Sequence, residues 1–250
     1  ERRMKSFLVS QNEAGQRLDK LLSKYMDTAP KSFFYKMLRK KNITLNGKKA
    51  EGKEMLKTGD EVKIFFSDET FDKFSTTQQK SSEYEILSKV PYDRLQVIYE
   101  DADVIIINKP SGMLSQKAKP EDISANEYIL SYLIHKKELT AEQLRTFKPS
   151  ICNRLDRNTS GMVICGKTLA GSQYLSRIIK DKSLQKYYYC LVSGTVTIDE
   201  RITGYLHKDA SRNKVTIYHS DIDIPDSKIN DTDLIDTHFK SIKTANNITL

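Results

Sequence analysis

The sequence predicts an α+β fold, in which a small helix-helix-hairpin domain precedes a larger one built on a mainly antiparallel mixed sheet with flanking helices. Within residues 1–68, helical periodicity gives way to a hairpin signal. From Leu95 to Asn108 two apolar runs are joined by an acidic turn, and a third run follows at Met162 to Thr168. Asn126 to Lys136 and Leu169 to Lys180 have the apolar spacing of helices.

The first element is a strand over Phe7 to Val9. Ala14 to Met26 then places Leu18, Leu21, Leu22 and Tyr25 on one helical face, and Pro30 opens a second helix that runs through Lys41. Ile43, Thr44 and Leu45 lead into Asn46-Gly47, a pair that accepts the positive φ angles of a two-residue turn. Thr58-Gly59-Asp60 turns into Val62 to Phe66, which closes the small sheet. Lys31, Lys36, Arg39, Lys40, Lys41, Lys48 and Lys49 crowd around the second helix and the hairpin, with few acidic residues between Pro30 and Lys49. Such a run is either a solvated helix face or a surface for a polyanion, and its clustering on one motif favours the second.

Residues 69–89 include KFSTTQQKSSEYE and show no sustained periodicity, so they read as a linker that would let the small domain dock at different angles. Residues 90–250 form the larger domain. Its first strands, Leu95 to Tyr99 and Val104 to Asn108, flank Glu100-Asp101-Ala102-Asp103, and Lys109-Pro110-Ser111-Gly112 ends the second. Lys109 can pair with a phosphate or cap the strand end, and the structural role is favoured. Tyr128 and Tyr132 of the following helix read as packing groups.

Asn153 to Gly161, NRLDRNTSG, places one carboxylate, Asp156, between Arg154 and Arg157 in a turn-forming segment just before the apolar run MVICGKT. Asp156 should therefore stand on a loop at the lip of the sheet. Flanking guanidinium groups favour the ionised carboxylate, which suits a nucleophile or base rather than an acid. The bland alternative is a surface ion pair.

The formal charge of +8 favours a polyanionic partner, while 33 acidic residues exclude a merely basic disordered tail. Cys152, Cys165 and Cys190 lack metal-ligand spacing and read as reduced core residues. His135, His207, His219 and His238 read as surface or core residues rather than ligands. No apolar run approaches a membrane span, and the basic start ERRMKSF is followed by no signal-peptide core. The expectation is a soluble cytoplasmic protein, a monomer by default.

NRLDRNTSG resembles the central motif of RNA pseudouridine synthases of the ribosomal large-subunit type, H-R-L-D-x-x-T-S-G followed by an apolar strand. LQVIYEDADVIIINKPSGM, Leu95 to Met113, is similar to the family's opening motif, two strands ending in N-K-P-x-G. KYYYCLVSG, Lys186 to Gly194, is similar to its K-x-Y-x-x-x-x-x-G strand. The resemblance covers roughly Leu95 to the chain end, with the motifs in the family's order. The first 68 residues resemble the small RNA-binding domain named after a small-subunit ribosomal protein, in which the second helix and following turn meet the RNA backbone.

The resemblance implies isomerisation of uridine to pseudouridine in structured RNA, a reaction that needs no cofactor or metal. Asp156 would be the catalytic carboxylate, attacking the ribose anomeric carbon or taking a proton from the neighbouring carbon to give a glycal. Arg154 would support the flipped nucleotide, and Tyr188 would stack on uracil and assist deprotonation at carbon 5. Lys31, Lys36, Arg39, Lys40, Lys41, Lys48 and Arg157 would bind RNA. Three departures stand out. Asn153 replaces the family's usual His, and LSQKAKP, Leu114 to Pro120, lacks the His-Pro pair common after the opening motif. The family's last motif, G-R-T-H-Q-I-R, is not found before the sequence ends at NNITL. The expectation is a catalytic domain incomplete at its C-terminus, inactive as a fragment although its parent is an enzyme. Large-subunit ribosomal RNA is the favoured substrate and transfer RNA the runner-up. A non-catalytic RNA-binding or ribosome-assembly factor is a second class of function. A glycoside hydrolase is a third, disfavoured because it usually needs two carboxylates and only Asp156 has a suitable setting.

Overall fold

Apolar spacing in the first 68 residues becomes a four-stranded antiparallel sheet with two helices packed on it. A computed structural model describes residues 4–74, 77–209, 211, 212 and 214–250. The chain divides into two compact units, Glu1–Leu184 and Gln185–Leu250. In the first unit, β1 (Met4–Leu8), β2 (Ile43–Leu45), β3 (Lys48–Lys49) and β4 (Glu61–Phe65) lie in the order β1-β4-β2-β3. Asn46 and Gly47 take φ angles of 51° and 71°, the conformation the hairpin requires. Helices α1 (Leu18–Tyr25) and α2 (Lys31–Arg39) bury Leu18, Leu21, Leu22, Tyr25, Phe34 and Leu38 against the sheet residues Ile43, Val62 and Ile64.

The segment expected to be a linker is instead largely helical: α3 spans Asp68–Lys73 and α4 spans Thr77–Ser88. Helix α4 has almost no apolar stripe, which is why periodicity missed it. It is held by a few anchors, with Leu87 buried and Tyr84 packed against the second hydrophobic core. The small module is thus not separated from the next by a free tether.

The second sheet of the first unit contains β5 (Val97–Glu100), β6 (Val104–Lys109), β7 (Ser150–Ile151) and β8 (Gly161–Gly166) in the antiparallel order β5-β6-β8-β7. Helices α5 (Ala125–His135), α6 (Ala141–Thr146) and α7 (Leu169–Lys180) complete it. Strand alternation sends Ile105 and Ile107 of β6 inward, where they meet Ile129, Leu130 and Leu133 of α5 and Val163 and Cys165 of β8. Helix α7 approaches the acidic turn so closely that a Cβ on Gly171 would lie 2.1 Å from the Asp103 carbonyl oxygen. Gly171→Ala is therefore expected to cost about 1–3 kcal/mol through forced backbone movement, read as a lower thermal midpoint.

Charges gather at the end of this sheet where β6 begins. Glu100 accepts from Lys167 at 2.7 Å, Lys136 at 2.9 Å and Tyr132 at 2.8 Å, while Glu138 pairs with the same two lysines. Burial pushes both glutamates up, but the donors outweigh it and hold them below the ordinary glutamate value of 4.5. A carboxylate with a depressed folded value stabilises fully above the unfolded value, and that stability is lost as pH falls through the folded one. The thermal midpoint should accordingly drop between about pH 5 and pH 3, and Glu100→Gln should flatten that drop.

The second unit contains β9 (Val192–Ser193), β10 (Asp199–Asp209), β11 (Lys214–Tyr218), β12 (Thr232–Lys240), β13 (Thr244–Ala245) and β14 (Ile248–Thr249). They form two antiparallel sheets, ordered β11-β10-β12 and β13-β14-β9. The strand expected over Lys186 to Gly194 is confined to Val192 and Ser193, because only these two find ladder partners, in Thr249 and Ile248. The architecture is thus the mixed helix and antiparallel sheet that the sequence predicts. Among the described residues, no helix is long and apolar enough to cross a membrane.

Candidate active site

The segment carrying Asp156 is a loop between β7 and β8, as its turn residues demand. Leu155 is half-buried against the second core, so the chain presents Arg154 and Asp156 outward on either side of it. The Asp156 carbonyl accepts from the Thr159 amide at 3.0 Å, closing a tight turn. Gly161, at φ 135°, then leads the chain into β8. Asn153 fixes the other side of the loop. Its amide nitrogen donates to the Met162 carbonyl at 3.1 Å, and its amide oxygen accepts from the Ile164 amide at 2.8 Å. The residue that departs from the family pattern thus ties the loop to β8.

A second loop, Pro110 to Ser115, lies against the first and is laced to it. The Gly112 amide donates to the Arg157 carbonyl at 2.8 Å, and Arg157 Nε donates back to the Gly112 carbonyl at 3.1 Å. Gly112 sits at φ 88°, a conformation that favours glycine. Ser111 Oγ donates to the Asn158 carbonyl at 2.9 Å. Ser115 Oγ donates to the Leu155 carbonyl at 2.6 Å and accepts from the Leu155 amide at 3.0 Å.

Lys109 pins both loops. Strand alternation places it on the inward face with Ile105 and Ile107, and it has no solvent-exposed surface. Its ammonium donates to the carbonyls of Met113 at 2.8 Å, Pro110 at 3.1 Å and Arg157 at 3.2 Å. Burial pulls the lysine below its ordinary range, and the negative charge of Asp156 acts in the opposite direction. One buried cation therefore ties the backbone next to Asp156 to the loop of residues 110–115 and supplies a positive field to its carboxylate.

Asp156, Arg154 and Arg157 all stand exposed on one loop. The bland reading, an ion pair of Asp156 with its flanking arginines, does not hold: neither guanidinium lies within salt-bridge distance, and Arg157 is turned to the Gly112 carbonyl. The Asp156 carboxylate forms no hydrogen bond among the described residues and is open to an incoming group. Lys31, Lys36, Arg39, Lys40, Lys41 and Lys48 are all exposed around α2 and the first hairpin. Tyr188 belongs to the second unit and lies outside any strand, 64 % exposed between the still more open Tyr187 and Tyr189. Of the cysteines expected in the core, Cys165 is buried and Cys152 half-buried, with burial raising both thiols; Cys190 is exposed, because its segment forms no strand.

The structural role favoured for Lys109 is the one observed, but its reach across to the Asp156 loop was not legible locally. The available signal was its phase with Ile105 and Ile107, two and four residues upstream. Nothing local identifies Ser111, Ser115 or Asn153 as the stitches between the loops.

Residues 103–250 match the model of the family described as RNA pseudouridylate synthase. An uncharacterised RNA pseudouridine synthase of Mycoplasma capricolum is 30% identical over 215 residues, covering 84% of this chain and 67% of the relative. Another, from Mycoplasma genitalium, is 31% identical and covers 84% of this chain and 63% of the relative. The ribosomal large subunit pseudouridine synthase C of Vibrio vulnificus is 29% identical, covering 74% of this chain and 54% of the relative. The chain thus spans between about half and two thirds of the length of these proteins. A family match over more than half of its residues, with 30% identity to a relative of which it covers 67%, makes this chain a member of the RNA pseudouridylate synthase family.

Proposed function

We propose that the protein isomerises uridine to pseudouridine in structured RNA, with Asp156 as the catalytic carboxylate and large-subunit ribosomal RNA as substrate. The observation that carries this reading is the outward-facing carboxylate of Asp156, unpaired among the described residues, on a loop whose backbone is fixed by Lys109, Gly112 and Ser115. The reaction breaks the bond between ribose and nitrogen 1 of uracil, turns the base, forms the bond to carbon 5 and removes the proton there. Asp156 serves either by attack on the anomeric carbon or by taking a proton from the adjacent ribose carbon. Arg154, exposed beside it, supports the flipped nucleotide and meets a phosphate, with Arg157 adding a second cation. Tyr188 is the proposed stacking group and the aid to deprotonation at carbon 5.

Residues 1–68 are proposed to bind RNA through Lys31, Lys36, Arg39, Lys40, Lys41 and Lys48. Their exposure together on one helix and its following hairpin supports this, and such contacts weaken with added salt. Ribosomal RNA is favoured over transfer RNA by the name of the Vibrio relative. A cytoplasmic setting is proposed on the ground of three free cysteines.

The test is incubation of unmodified large-subunit ribosomal RNA and transfer RNA with this chain, and with a version lengthened beyond Leu250 to the size of the relatives. Pseudouridine is read by a specific chemical adduct. Modification of ribosomal RNA by the longer form is the expected result; tight RNA binding without adduct in either RNA would instead favour an assembly factor.

A further inference from the structure

The first unit holds two separate hydrophobic cores, one beneath β1 to β4 and one beneath β5 to β8. Where the two modules meet, a buried carboxyl group bridges them. Glu13 is 3% exposed and lies in the loop between β1 and α1. One of its oxygens accepts from the Ser10 amide at 2.9 Å and from Ser10 Oγ at 3.0 Å. The other accepts from Tyr25 Oη at 3.2 Å and, across the junction, from Thr146 Oγ1 at 2.5 Å. Thr146 ends α6 and is 2% exposed. Beside it, the Arg145 guanidinium lies 5.6 Å from the centre of the Tyr25 ring, so α6 reaches the N-terminal module through a cation set against α1 as well as a hydrogen bond to the loop before it.

Apolar faces tolerate sliding, but a buried carboxyl whose acceptor positions are filled by groups on both modules does not. Any rotation of one module against the other forfeits the 2.5 Å bond and leaves the Thr146 hydroxyl only the Gln143 carbonyl of its own helix, at 3.2 Å, while Glu13 keeps Ser10 and Tyr25. We infer that the Glu13–Thr146 bridge is a latch that locks the N-terminal module in one orientation on the catalytic module, making Thr146 and Glu13 positioning residues for substrate choice. Resting on the function proposed above, the latch sets a fixed span between the cationic face around α2 and Asp156. RNA held on that face then offers Asp156 only uridines at one distance and bearing. A tethered module would sample many.

Thr146→Val keeps the shape of the side chain and removes the hydroxyl that α6 donates to Glu13, leaving Ser10 and Tyr25 on the carboxylate. Thr146→Ser restores the donor. Hydrogen exchange on the full chain should show amides of residues 10–25 and 141–147 opening about tenfold faster in Thr146→Val, the factor for one lost hydrogen bond, with both cores still protected and Thr146→Ser returning to the parent rate. On unmodified large-subunit RNA, Thr146→Val should raise KM about tenfold with kcat unchanged and spread modification to additional uridines, while short uridine hairpins react as with the parent. Unchanged exchange at both segments overturns the latch, as does an equal loss on long and short RNA, which signals general instability. If the parent protein modifies neither RNA, the function reading fails; faster exchange restored by Thr146→Ser then still upholds the lock between modules, and unchanged exchange still refutes it.

Discussion

Asp156→Ala is expected to abolish uridine isomerisation, lowering kcat by about four orders of magnitude or more, while RNA affinity stays within about twofold. The expectation is clean because the side chain makes no hydrogen bond or ion pair among the described residues, and its charge acts on the fold only at a distance, through Lys109. Asp156 is exposed, and only its backbone carbonyl closes the turn with Thr159. Asp156→Asn, which keeps the shape and removes the negative charge, should be equally inactive. Folding of both variants, followed by thermal unfolding, should match the parent within about 0.5 kcal/mol. The measurement is single-turnover formation of the pseudouridine adduct in the lengthened protein, beside a filter-binding isotherm. Activity retained in either variant would remove Asp156 from the chemistry and with it the proposed function.

The second large effect is expected at Lys109, by a different route. Lys109→Met keeps the apolar stem but strips the ammonium from the carbonyls of Met113, Pro110 and Arg157. The Arg157 carbonyl retains the Gly112 amide, whereas the Met113 carbonyl has no second donor among the described residues. Loss of three bonds from one ammonium, with the half-buried Met113 carbonyl left unsatisfied, should therefore cost about 2–4 kcal/mol, seen as a lower denaturant midpoint. Because the same ammonium ties the loop of residues 110–115 to the loop bearing Asp156, residual folded protein should also lose activity about 100-fold, as expected when a reacting group is misplaced by about 1 Å. A Lys109→Met protein as stable and active as the parent would show that the serine and glycine stitches suffice without the buried cation.

These effects differ in how far they could be read in advance. Asp156 was legible because its neighbours in sequence dictate its presentation: Leu155 turns inward to the core, and Asn158 to Gly161 supply the turn. The two helices and the Asn46-Gly47 hairpin were legible for the same reason, through periodicity and turn chemistry acting over a few residues. Helix α4 was not, since Leu87 and Tyr84 anchor it without forming a stripe. The strand around Tyr188 was expected from alternation, but alternation describes a readiness to pair, and only Val192 and Ser193 meet a partner.

The sequence by itself determined the family, the α+β composition, most element positions and the candidate carboxylate, all of which depend on residues close along the chain or on motifs they compose. The tertiary structure decided what holds that carboxylate and what holds the modules together. Lys109 meets the Arg157 carbonyl 48 positions away, and Thr146 meets Glu13 across 133. Neither pairing leaves a local pattern, because each is favourable only after folding has excluded water from the groups concerned.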